Sequence, residues 1–133
     1  MRNITLNSDV ARVSSCLEKS GNNFFKQWLE FIRPVHKLSS KEIDILSSFL
    51  RIRYELSKSI HDENLLDSIL MSVETKRQVR EEHGLTPSYF QVTMTKFKKR
   101  GVLVNGRINK LYVPNVEIDS EGYKLIILFD FSK

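Results

Sequence analysis

The stretch that decides the fold runs from Ser72 to Lys110, SVETKRQVREEHGLTPSYFQVTMTKFKKRGVLVNGRINK. Ser72 can cap a helix over Val73 to His83, and Gly84 stops it, because glycine enters the left-handed conformation without a Cβ penalty. Thr86 and Pro87 open a second helix. A threonine oxygen takes an orphan backbone donor there, and proline lacks a donor that the first turn would not use. Lys98-Lys99-Arg100-Gly101 closes that helix, with cations at the negative end of its dipole. From Val102 the period changes from helical to alternating. Val102-Leu103-Val104, Asn105-Gly106 and Arg107 to Leu111 predict a β-hairpin over 102–113, because a type I′ turn needs positive φ at both central residues.

Working outward, Leu38-Ser39-Ser40-Lys41-Glu42-Ile43 is a helix start. Ser39 and Glu42 stand three apart as a capping box, and Leu38 with Ile43 is spaced as a hydrophobic staple. The helix they open carries Ile43, Leu46, Phe49, Leu50, Tyr54 and Leu56 inward and is expected to be the longest. Before it, Asn22 or Asn23 caps an aromatic helix with Phe24, Phe25, Trp28, Leu29 and Ile32 at helical spacing, and Pro34 ends the pattern. Leu65, Leu66, Ile69 and Leu70 predict a short helix after the polar turn from His61 to Asn64. Residues 1–21 read as irregular, apart from Ile4/Leu6 as an edge strand. Downstream, Tyr123, Leu125, Ile127, Phe129 and Phe131 alternate with Ile126 and Leu128 in a last strand over 123–131. Both its faces are apolar, so it should be covered, by the hairpin sheet, by Ile4/Leu6 or by a second copy of the chain.

With 133 residues, 41% hydrophobic and 28% charged, the chain suits one soluble domain. Its charge is unevenly placed. The segment from Ser72 to Lys110 holds nine Lys or Arg against three Glu, leaving 12 basic and 13 acidic residues elsewhere, so the whole surplus of +5 belongs to it. No acidic residue stands between Glu82 and Glu117, an interval with six basic ones. Solvated surfaces usually mix signs, so this run points to an anionic partner such as nucleic acid.

These residues resemble the winged-helix superfamily of bacterial and phage DNA-binding proteins, in the manner of MarR-type regulators and of the winged domains of plasmid and phage replication initiators. The resemblance rests on Val79, Gly84-Leu85-Thr86, Phe90, Met94, Phe97 and Gly101-Val102-Leu103, covers about residues 72–113, and departs at Arg80 and His83, where a small residue and Leu are usual. It implies an α+β, mainly α fold: a winged helix-turn-helix with an added N-terminal aromatic helix and a C-terminal β-strand. The segments are then a helical core over 22–71, a helix-turn-helix over 72–101 and a wing over 102–113.

If Phe90, Met94 and Phe97 face inward, a step of about 100° per residue puts Ser88, Val92, Thr95, Lys96 and Lys99 opposite, with Tyr89 and Gln91 flanking. Such a face suits a major groove. Gln91 can pair with adenine, Val92 can touch a thymine methyl, Ser88 and Thr95 can donate or accept, and Lys96, Lys98, Lys99 and Arg100 can reach phosphates or guanine. Arg107 and Lys110 on the hairpin suit the minor groove or the backbone, and Lys76 and Arg77 are further phosphate clamps.

The expected function is therefore DNA binding in regulation, replication or packaging. A structural or assembly role, for example in a phage virion or a small-terminase-like component, is the alternative. The partners expected are double-stranded DNA and a second copy joined through the 24–32 helix or the 123–131 strand. His36, His61, His83 and the single Cys16 show no metal-ligand spacing, and no phosphate loop, nucleophile elbow or zincin helix is present, so no enzyme activity, metal or cofactor is expected. With no signal-like start and no apolar run of bilayer length, the expected location is the cytoplasm, or a virion if phage-encoded, without membrane contact.

Overall fold

The longest helix grows from a reciprocal cap. Glu42 N donates to Ser39 Oγ at 3.2 Å and Ser39 N donates to Glu42 Oε1 at 2.9 Å, so the expected capping box closes at the head of an 18-residue helix over Ser40–Ser57. The computed structural model describes residues 2–6, 10–17, 21–114, 116–119 and 122–130, with side chains over 24–114. In chain order the elements are β1 (Arg2–Leu6), β2 (Val10–Leu17), α1 (Gly21–Phe31), α2 (Arg33–His36), α3 (Ser40–Ser57), α4 (Glu63–Leu70), α5 (Val73–Glu82), α6 (Pro87–Lys99), β3 (Leu103–Val104), β4 (Arg107–Ile108), a 3-10 turn (Lys110–Tyr112), β5 (Val116–Asp119) and β6 (Gly122–Asp130). The fold is α+β and mainly α among the described residues, as expected. The chain divides into two compact units, one of Met1–Phe24 with Pro114–Lys133 and one of Phe25–Val113, where the sequence suggested a single domain.

The first unit is an antiparallel sheet in the order β1-β2-β6-β5. Ile4 and Leu6 do lie on an edge strand, but Val10–Leu17, read as irregular, forms a second strand of eight residues. β6 pairs with β2 along its length, from Val10↔Asp130 to Leu17↔Tyr123, and with β5 on its other edge. The last strand thus pairs within the chain, with β2 over Tyr123–Asp130 and with β5 over Gly122–Leu125, and with neither the hairpin nor Ile4/Leu6. Its side chains, and Phe131, lie outside the described residues.

The second unit is helical, and its caps explain its boundaries. Asp62 accepts from Asn64 N at 2.9 Å and starts α4, and Ser72 accepts from Thr75 N at 3.3 Å and starts α5. Both α5 and α6 end in a Schellman motif. Gly84 N donates to Glu81 O and Leu85 N to Arg80 O, and the same pair recurs from Gly101 N to Lys98 O and Val102 N to Phe97 O. Gly84 and Gly101 hold φ of +61° and +75°, which a side chain would strain. At the aromatic end two boundaries move. Helix α1 begins at Gly21 itself, and Pro34 does not end the helical pattern but sits in the first turn of the short α2, where a missing donor costs nothing.

Phe25, Trp28 and Leu29 of α1, Ile43, Leu46, Phe49 and Leu50 of α3, Val79 of α5 and Phe97 of α6 are buried, each worth about 1.5–3 kcal/mol of transfer free energy when fully enclosed. Tyr54 and Leu56, expected inside, are half-exposed. The indole of Trp28 donates to Tyr112 O at 2.9 Å, joining α1 to the 3-10 turn. His36 is buried between two backbone groups. Its Nδ1 accepts from Leu38 N at 2.9 Å, so its protonated Nε2 donates to Leu29 O at 2.8 Å. Lys37, next to it, takes φ of +56° and turns the chain from α2 toward α3.

The hairpin forms where it was read, with Asn105 and Gly106 at φ of +55° and +74°, the type I′ signature. It is shorter than 102–113, however. Strand pairing covers Leu103↔Ile108 and Val104↔Arg107, and one further bond, from Asn109 N to Val102 O at 2.8 Å, joins the two arms. Asn109 ends the second strand: its side chain donates to Gly101 O and accepts from Leu111 N, both at 3.0 Å, and so bends the chain into the 3-10 turn. Lys110 therefore opens that turn and does not lie on a strand.

Candidate nucleic-acid interface

α6 has 13 residues and spans about 20 Å at 1.5 Å per residue. Phe90, Met94 and Phe97 are 7%, 5% and 0% exposed, so the inward stripe fixes its rotation, and Thr93 joins them. Ser88, Tyr89, Gln91, Val92, Thr95, Lys96, Lys98, Lys99 and Arg100 are all exposed, as the rotation requires. Val92 and Tyr89 show about half their surface, 55% and 46%. The Thr95 hydroxyl donates back to Gln91 O at 3.0 Å, so toward a ligand it is chiefly an acceptor, and Gln91 keeps its side-chain amide for an outside partner.

The cations of the expected site fall into two groups. On and beside α6, Lys98 and Lys99 have no described partner. Lys96 Nζ lies 3.4 Å from Glu42 Oε2 but remains 58% exposed, and Arg100 Nη1 donates to Lys37 O at 3.2 Å. At the hairpin, by contrast, the cations are tied to partners on α4. Arg107 Nη1 donates to Asn64 Oδ1 at 2.9 Å, and Lys110 Nζ meets Asp67 Oδ2 at 2.6 Å. Asp67 is buried and also faces Arg53 Nε at 3.4 Å, so one carboxylate joins α3, α4 and the end of the hairpin. Arg77 is paired with Glu74 one turn earlier, and Lys76 is half-exposed without a described partner.

The two departures from the winged-helix pattern also find their place. Ser48 Oγ donates to Glu82 Oε2 at 2.7 Å and lies 2.7 Å from His83 Nε2, while Arg51 pairs with Glu82, so the turn before α6 is clasped to α3. Ser48 is fully buried, which makes this contact a polar brace. Arg80 supplies the carbonyl of the Schellman motif, and its half-exposed side chain does not prevent the turn. Burial holds the His83 imidazole below its ordinary value, with Glu82 opposing and Lys41 assisting. For Glu42, burial pushes the carboxyl up, but hydrogen bonds from Ser39 and Lys96 outweigh it and hold the group below the usual value.

Sequence reasoning missed Lys37, Asp67 and the bracing roles of Asn64 and Ser48. Lys37 gave no signal, because a left-handed lysine has no motif. Asp67 stands in α4 with Leu66 and Leu70, and its burial depends on cations 14 and 43 residues away. The aromatic stripe of 24–32, expected as an interface between copies, is largely consumed inside the chain: Phe24, Phe25, Trp28 and Leu29 are buried, and Phe31 alone of its large aromatics is exposed.

Among the described residues no three His, Cys, Asp or Glu side chains stand close enough to hold a metal, and no helix is long and apolar enough to cross a membrane. Comparison with known protein families, with curated proteins and with solved structures finds no match.

Proposed function

We propose that the chain is a DNA-binding protein of winged-helix type that lays α6 in the major groove of a duplex and reads base edges with Gln91, Ser88 and Val92. One observation carries the reading most: α6 turns to solvent a face of polar and basic residues around Val92 without a carboxylate, in a stretch from Glu82 to Glu117 that contains no acidic residue of its own. A carboxylate-free helix face about 20 Å long matches the length over which a recognition helix can touch a groove. Lys98 and Lys99 suit the backbone, which supplies most of the affinity of such contacts, while Gln91 supplies discrimination. Regulation, replication and packaging would use this module in the same way.

A structural or assembly role is the second reading, favoured by Phe31 and Val35, which are 55% and 59% exposed one helical turn apart in sequence. Selection from a pool of random duplexes separates the two. A DNA reader enriches a short common sequence, and Gln91→Ala lowers the enrichment at one position. A chain that retains no duplex at 50 mM salt is not a DNA reader.

A further inference from the structure

The second unit contains a cleft of about 480 Å³ between the C-terminal end of α6 and the turn from α2 into α3. Lys37, Lys96, Lys99 and Arg100 line it, against the single acidic residue Glu42. Glu42 is already engaged on both oxygens: Oε1 accepts from Ser39 N at 2.9 Å, and Oε2 faces Lys96 at 3.4 Å. Its negative charge is thus answered within the fold, and Lys37, Lys99 and Arg100 leave the cleft strongly positive. The guanidinium of Arg100 is anchored to Lys37 O, so the two elements that bear these charges are held together before any ligand arrives. The ammonium groups of Lys37 and Lys99 have no described partner.

Lys96 and Lys99 belong to this cleft and to the outward surface of α6 alike. A ligand lying along Ser88, Val92 and Thr95 would therefore pass onto the cleft without leaving positive potential. The hairpin offers no comparable path, since Arg107 and Lys110 are held by Asn64 and Asp67.

We infer that this cleft binds a backbone phosphodiester of the same DNA duplex, with Lys37 and Lys99 as its phosphate contacts, and that it takes the part the hairpin would otherwise play. This rests on the reading of α6 as a duplex-binding helix. Lys37 is the decisive residue, because it lies 50 or more positions from α6 in sequence and has no reason to affect DNA unless the strand reaches the turn.

The test is the salt dependence of binding to a labelled 20-base-pair duplex, followed by anisotropy between 50 and 200 mM salt. The proteins are the full chain, Lys37→Asn, Lys99→Ala and, as an equal change of charge at the far end of α3, Lys58→Ala. Asparagine is chosen at position 37 because it tolerates positive φ, and circular dichroism checks that each variant is folded. Each lost phosphate contact should make the slope of log K against log salt shallower by about 0.9, and Lys37→Asn and Lys99→Ala should each show that change while Lys58→Ala does not. If the full chain binds the duplex and Lys37→Asn keeps the slope of Lys58→Ala, the cleft is not a phosphate site and the α6 reading survives. If the full chain binds no duplex, or binds only single strands or RNA, both fall.

Discussion

The hairpin and the α6 cleft carry the same kinds of side chain and use them in opposite ways. At the hairpin Arg107 and Lys110 face partners on α4, and Asp67 is buried beneath them with Arg53. At the cleft Lys37 and Lys99 face solvent, and the only carboxylate present is already engaged. A lysine beside a buried aspartate helps to hold a fold, because removing either partner strands a charge in low dielectric. A lysine in an open basic cleft adds almost nothing to stability and is available to an anion. The lesson is that basic residues close in sequence to a recognition helix are not one population, and that their partners decide which of them can meet DNA.

The largest effect that would break this comparison is on affinity. Replacing Lys96, Lys98 and Lys99 together by Ala should weaken duplex binding on the order of 100-fold at low salt and make the salt slope shallower by about 2–3, while the melting temperature moves little. Next in size, Asp67→Ala should cost about 2–3 kcal/mol in denaturant unfolding, somewhat below the ~3–5 kcal/mol of a fully buried pair because Lys110 keeps contact with water. Its salt slope with DNA, measured where the variant is folded, should match that of the parent chain. Gln91→Ala should cost about 1–3 kcal/mol of discrimination at one base pair and leave stability unchanged. A base preference that survives this change would move the reading residue elsewhere on α6.

The smallest effect concerns pH. Burial lowers the pKa of His36, with the Leu29 carbonyl opposing and Arg33 assisting, and burial likewise lowers that of His83. The native state therefore binds protons on both rings less readily than the unfolded chain, whose imidazoles take them up near 6.5. Stability from this source is full above pH 6.5 and is lost as pH falls below it toward the native values. Protonating His36 on Nδ1 would also remove the acceptor of Leu38 N, just beside Lys37. Glu42, held below 4.5, adds a loss of the same sign at lower pH. Urea midpoints measured from pH 7.5 to 5 should fall, and His36→Gln should flatten the decline.

Local grammar in the sequence announced most of the helical unit. The box at Ser39 and Glu42, the caps at Ser72 and Thr86, the stops at Gly84 and Gly101 and the turn at Asn105-Gly106 each involve atoms within a few residues of one another, and each formed as read. The face of α6 was legible for the same reason, since Phe90, Met94 and Phe97 fix a rotation that needs no knowledge of the rest. What depends on distant residues was not legible. The pairing of β6 with β2 joins the two ends of the chain, the burial of Asp67 depends on Arg53 and Lys110, and the meeting of Lys37 with Arg100 crosses 63 positions. The hairpin's reach failed by one residue's choice, because Asn109 prefers its own local hydrogen bonds to a longer strand.

The most direct measurement is a titration of the full chain against a duplex across salt, beside the variant lacking Lys96, Lys98 and Lys99. The account predicts binding at 50 mM salt that weakens steeply toward 200 mM, with a slope markedly shallower in the variant. Binding of equal strength and equal slope in both proteins, or no binding by either, would contradict it.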